Sequence, residues 1–186
     1  MKLAGYFRSL FGLSVVLFGF TALVAAAEKD VVDPYIYRPG VRNSSGKYQL
    51  NQKQLNLVLE SLREKTGFLG LAFDTTGFLT LDDPNRFAGG SASARELVGK
   101  AIHGNGQLIL ENHSYSTKVA FASISSNLVF INMNTKAQIE HRTVRIDFTD
   151  FNKLMGAKEV RASFDLGIVL LHELVHGAMN LVDKVD

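Results

Sequence analysis

The sequence predicts an α+β fold: a small, mostly antiparallel sheet covered by helices. Three observations carry that expectation. Two amphipathic stripes at helical spacing fall at 52–65 and 92–102. Between 107 and 149, runs rich in β-branched and aromatic residues alternate with Asn/Ser/Thr breaks. Near the C-terminus an aliphatic run is interrupted only by His172-Glu173 and His176. The resulting order of helix, hairpin, helix, strands and helix lacks the regular strand–helix alternation of a doubly wound sheet.

The first 27 residues form an expected export signal. Lys2 and Arg8 give a positive start, Leu10 to Val24 an apolar stretch, and Ala25-Ala26-Ala27 a small-residue cleavage site before Glu28. That stretch is short of the about 20 apolar residues of a membrane span, so cleavage is favoured over a retained signal anchor. The expected mature protein is therefore secreted or periplasmic, without a stable membrane anchor. It comprises residues 28–186 as a single domain, with 159 residues to build a core. Removing Lys2 and Arg8 leaves 18 Lys plus Arg against 18 Asp plus Glu, so the formal charge of +2 vanishes with the leader. A balanced surface gives no electrostatic reason to expect nucleic acid as a partner. The chain has no Cys, so neither a disulfide framework nor a thiolate metal site is available. Any metal would depend on His, Asp, Glu and water, which suits a catalytic zinc better than a structural one.

Residues 28–48 are polar and carry Pro34, Pro39, Gly40 and an Asn43-Ser44-Ser45-Gly46 cluster, so they read as a lead-in arm or loop. The first helix, 52–65, has Asn51 as its N-cap, Gln54 at the capping-box offset and Gly67 as its stop, with Leu55, Val58, Leu59 and Leu62 as its core stripe. Leu69 to Phe73 and Phe78 to Leu81 flank Asp74-Thr75-Thr76-Gly77 and predict a hairpin. A second helix over 92–102 starts from Ser91 or Ser93 and stops at Gly104. Strands are expected at 107–111, 118–122, 128–133 and 143–148, followed by a short helical turn at 151–156. The last helix would run from 166 to 179, capped by Asp165 or Ser163.

That last helix carries the chemistry. His172 and His176 are four residues apart, just over one turn, so both imidazoles project from one face and can share a Zn²⁺ at roughly 2.0–2.1 Å per bond. Glu173 directly follows the first histidine and can serve as the general base for an attacking water. The bland alternative is a buried helix whose two histidines are simply hydrogen-bonded.

Val169 through Ala178 resembles the extended motif of the zincin metallopeptidases: an aliphatic residue, two uncharged residues, His-Glu, two uncharged residues, His, then two small or apolar positions. More loosely, Ile168 to His176 is similar to bacterial effector-type and toxin-associated zinc metallopeptidases, including domains attached to Rhs-type repeat proteins. The resemblance implies a zincin-like fold, His172 and His176 as zinc ligands, Glu173 as catalytic base, and a secreted zinc endopeptidase acting on a protein or peptide. The strand at 128–133 would hold an extended substrate by edge pairing. Two other functions stay open: a non-catalytic, truncated relative serving as an exported binding module, and a zinc hydrolase acting on a non-peptide amide.

The resemblance leaves the third ligand open. Metzincins carry Gly three and His six residues after the second His; here those positions are Met179 and Val182. Gluzincins use a later Glu, and none follows His176. Asp183, seven residues on, is the local candidate, matching an Asp that some effector proteases have at that offset, though they have Thr where this chain has Met179. A continuous helix would put Asp183 about 10 Å along the axis from His176, so the helix must end near Gly177 or Asn180 for it to reach. An ordinary solvated role for Asp183 is the alternative, with His103, His113 and His141 as upstream candidates. His141-Arg142 and Tyr115 are candidate oxyanion stabilisers.

Overall fold

A computed structural model describes residues 38–119, 121–125, 128–131, 136, 138–154 and 165–179. The expected signal at 1–27, Ser163 and Asp183 lie outside the described residues. Among the described residues no helix is long and apolar enough to cross a membrane.

The architecture is α+β, with four helices and a mixed sheet among the described residues. Strand β1 (Gly40–Asn43) pairs in parallel with β4 (Gln107–Asn112), and β4 in parallel with β7 (Gln138–Ile146). Two short strands, β5 (Ala122–Ile124) and β6 (Leu128–Ile131), run antiparallel to successive halves of β7. Between them Ser125 bonds Thr143 twice, donating its N–H to the carbonyl (2.8 Å) and accepting the Thr143 N–H on its Oγ (2.8 Å). The side-chain oxygen thus takes the place of a backbone carbonyl where the ladder breaks. The expectation of a mostly antiparallel sheet is corrected: the β1–β4 and β4–β7 pairings are parallel, the first crossover carrying two α-helices and the hairpin, the second carrying β5 and β6.

Strand β1, which makes one of the two parallel pairings, falls in the segment read as a lead-in arm. It offers the core only Val41 and the polar Asn43. Asn43 is buried but satisfied, its Nδ2 donating to the Leu50 carbonyl (2.9 Å) and its Oδ1 accepting the Leu50 N–H (2.9 Å). This clasp holds the turn 44–50 and delivers Leu50 to the core.

Helix α1 (Gln52–Thr66) follows. Its Asn51–Gln54 capping box is formed, and Gly67 ends it in the left-handed conformation (φ 74°) that a side chain resists. The hairpin is β2 (Leu71–Phe73) with β3 (Leu79–Leu81), joined through Asp74. Helix α2 (Ala92–His103) is capped by Ser91 and stops at Gly104. Of the run predicted as a strand at 118–122, Ala122 begins β5, while Ser116 Oγ accepts the N–H groups of Lys118 and Val119 and Phe121 takes φ 60°. The run predicted at 143–148 begins earlier, at Gln138, and ends before Asp147, where helix α3 (Phe148–Leu154) takes over from the expected 151–156.

Helices α1 and α2, with α4 (Leu166–Met179), enclose one core with the sheet. Leu108, Leu110, Val144 and Ile146 face Val58 and Leu62 of α1, Leu97 and Val98 of α2, and Leu166, Leu170 and Leu174 of α4. By strand alternation the opposite sheet face carries Arg42, Gln107, Ile109, Glu111, His141 and Arg145.

Candidate functional site

The motif lies in α4 as the spacing requires. Asp165 starts the helix, its Oδ1 accepting the Ile168 N–H (2.9 Å), and Lys65 at the end of α1 forms an ion pair with the same carboxylate. Burial costs the Lys65 ammonium, but hydrogen bonds to Asp165 and Glu64 outweigh it and raise its pKa. Ser163, the other candidate cap, falls outside the described residues.

Leu166, Leu170 and Leu174 repeat every four residues and turn into the core, a stripe worth roughly 1.5–3 kcal/mol per fully buried Leu. Glycines let the helix approach its neighbours at both ends. A Cβ on Gly167 would stand 2.9 Å from the Ser61 carbonyl oxygen of α1. One on Gly177 would stand 2.5 Å from Leu108 Cδ2 on β4 and 3.3 Å from Ile124 Cδ1 on β5. The second glycine, next to His176, sets the end of the motif directly on the sheet.

His172 is exposed, whereas Glu173 and His176 are buried, so the motif straddles the boundary between core and solvent. The two Nε2 atoms stand 3.1 Å apart, with ring planes nearly perpendicular (84°) and centroids 4.6 Å apart. Arg142 of β7 donates from Nη1 to the His176 carbonyl (2.9 Å). A cation there satisfies a carbonyl in the last turn and complements the negative end of the helix.

A spacing of 3.1 Å fits a shared metal. Two nitrogens on a tetrahedral zinc at 2.0–2.1 Å stand about 3.3–3.4 Å apart, and 3.1 Å corresponds to an N–Zn–N angle of about 95–102°. The same separation is also that of an N–H···N hydrogen bond. Among the described residues no third His, Asp or Glu joins the pair.

The upstream candidates lie elsewhere. His113 bonds Glu111 (2.9 Å) and stacks on Tyr48 at 4.7 Å, clasping the end of β4 to the turn after β1. His103 ends α2 and lines a cavity described below. His141 and Arg142 are adjacent on a strand and so face opposite sides of the sheet. The pair is therefore not joint: Arg142 reaches the motif helix, while His141 turns to the far face, its pKa lowered by burial and then by Arg42 against the opposing pull of Glu111. Tyr115 is 84% exposed, on a loop whose backbone is held by Asp147 and Thr149.

Two site features escaped the sequence reading. One is Arg142 as a brace on the motif helix, through its bond to the His176 carbonyl. The other is a cavity of about 750 Å³ whose lining includes Gly177 and Ala178 of α4, Leu108 of β4 and Val129 of β6. A Gly directly after the second histidine was the available signal for close packing, but nothing local said which strand it would meet. No family model, curated protein or solved structure matches the chain, so the roles of these side chains follow from their own chemistry and placement.

Proposed function

We propose that this chain is an exported zinc-dependent peptidase, with His172 and His176 as two of its metal ligands and Glu173 as its general base. The observation that carries the reading is the convergence of the two Nε2 atoms to 3.1 Å, at the edge of solvent, with the Glu173 carboxylate buried in the same turn. When bound, zinc supplies Lewis acidity, acidifying water in the site and polarising the carbonyl under attack. Glu173 takes the proton of the attacking water and passes it to the leaving amine. Arg142 holds the last turn of the helix through the His176 carbonyl and so keeps the second histidine in register with the first. Asp183 is the proposed third ligand, its only support being its offset from His176.

Substrate binding has support in β6. Leu128, Val129 and Ile131 are exposed on a short strand whose far edge no other strand pairs among the described residues. An exposed apolar edge invites an added strand, and an extended peptide would gain main-chain hydrogen bonds there. Val129 also lines the cavity that Gly177 and Ala178 border, which links the edge to the motif helix. A zincin-like arrangement, with an antiparallel edge strand beside the motif helix, is part of this proposal.

The test is metal analysis of the purified exported chain beside His176→Ala, followed by digestion of a peptide library. Stoichiometric zinc in the wild type, its loss in His176→Ala and cleavage of peptides are expected. Folded wild type without zinc would leave the non-catalytic binding module. Zinc without peptide cleavage would leave hydrolysis of a non-peptide amide.

A further inference from the structure

A second cleft, of about 270 Å³, lies where the first turn of α1 meets the segment after β4 and helix α3. Tyr115 stands at it, 84% exposed and in the left-handed region at φ 67°. A bulky side chain resists that conformation, and such outliers persist only where the surroundings enforce them. Here the enforcement is explicit. The Tyr115 N–H is shared between Asp147 Oδ1 (3.2 Å) and Thr149 Oγ1 (2.8 Å), and the next N–H, of Ser116, goes to Asp147 Oδ2 (3.0 Å). The Asp147 carboxylate is buried, which alone would raise its pKa, but the donors from Thr149, Tyr115 and Asp150 hold it below the ordinary range. The loop is thus pinned by an ionised carboxylate, and what it presents is an aromatic ring.

The rest of the lining has an unusual hydrogen-bonding polarity. Asn51, Gln54 and Asn112 each have the carboxamide oxygen committed to a backbone N–H: Asn51 to that of Gln54 (3.0 Å), Gln54 to that of Asn51 (2.9 Å), and Asn112 to that of Ser114 (3.1 Å). Those bonds fix which end of each amide is which, and they leave the NH₂ groups as the available ends. Lys53 has no ion pair and Asn152 no hydrogen bond among the described residues, and both line the same cleft. Ser114 and Thr149 add hydroxyls and Leu57 an exposed apolar side chain, so the cleft offers carboxamide N–H donors, one ammonium, two hydroxyls and an exposed aromatic face. A peptide backbone has no C–H face of ring size to lay on the tyrosine. A sugar ring brings hydroxyls around its rim, each able to accept from the carboxamide N–H groups and to donate to Ser114, and an apolar C–H face for the tyrosine, and a carboxylate on it would answer Lys53.

We propose that this cleft binds a saccharide bearing a carboxylate, a uronic-acid unit of an acidic glycan, stacked on Tyr115 and paired with Lys53. The site is separate from the motif helix and does not depend on the peptidase reading. The test is calorimetric titration of the full exported chain with tetragalacturonate, its fully methyl-esterified form, and a hyaluronan tetrasaccharide. At least one acidic oligosaccharide should bind saturably, and the ester should bind at least about tenfold more weakly than the galacturonate if that is the ligand accepted. Tyr115→Asn, which removes the ring but keeps a residue tolerated at positive φ, should weaken binding about tenfold or more. Lys53→Gln, on the surface of α1, should abolish the preference for the acid, while Glu173→Gln should bind as the wild type does. Saturable binding to neither acidic probe, or binding unchanged in Tyr115→Asn, would overturn the proposal; so would a methyl ester that binds as well as the acid.

Discussion

His172 and His176 at 3.1 Å admit two chemistries, a shared metal or a shared proton, and Glu173 separates them. Glu173→Gln is near-isosteric and leaves both imidazoles in place, but an amide cannot accept the proton of the attacking water. On the proposed peptidase reading, zinc content should stay stoichiometric while hydrolysis falls by about 10²–10⁴-fold, the usual contribution of a general base. Activity above about a tenth of wild type would remove Glu173 from that role. Asp183 is tested by contrast with Asp186. Three protein ligands and one open position is the usual catalytic arrangement, so Asp183→Ala should lose its zinc to a chelator concentration that leaves both the wild type and Asp186→Ala loaded. Equal retention in all three would send the search for the third ligand upstream or to another chain.

Helix α4 depends on what its glycines lack. Gly177→Val would drive a branched side chain into Leu108, which is itself buried in the core and has nowhere to swing. A cost of about 1–3 kcal/mol is expected for such overpacking, with weaker zinc binding because the shift begins one residue after His176. Gly99 in α2 is the control: a Cβ there meets nothing within 4 Å. Gly99→Ala should therefore stabilise by about 0.5–1 kcal/mol, the helix-propensity difference alone. Thermal melts of the two variants should move in opposite directions. This contrast also marks what could be read from the sequence. The capping box at Asn51, the stop at Gly67, the hairpin around Asp74 and the extent of the motif helix all rest on contacts within a few residues, and all were legible, while the second helix was left with Ser91 and Ser93 as alternative caps and takes Ser91. Strand β1 was not, because four residues with one apolar inward side chain have no periodicity to detect. Nor was the early end of β7, where Asp147 leaves the ladder to bind the Tyr115 loop about 30 positions back in the chain. The Arg142 brace was not legible either, because a sequence does not say which strand lies under the last turn of a helix.

At the scale of the whole molecule the sheet has two unlike faces, an apolar one under the helices and one carrying Arg42, Glu111, His141 and Arg145. Composition could not separate them, since the charges balance over the chain and only register assigns each residue a side. The charged face gives the fold a pH dependence whose sign can be worked out. His141 is buried there, and its pKa is lowered from about 6.5 by burial and by Arg42, with Glu111 only partly opposing. Above about pH 6.5 both folded and unfolded chains hold it neutral, and it contributes no slope. As pH falls below that value the unfolded chain takes up a proton that the folded chain still refuses, so the unfolded state binds more protons and stability decreases. The measurement is denaturant unfolding between pH 8 and pH 5 with a chelator present, so that no bound metal contributes to the slope. Wild type should lose stability across the acid half of that range, and His141→Gln, which keeps a polar side chain but cannot titrate, should show a flatter profile. Identical slopes in the two proteins would assign the acid sensitivity to a group other than His141.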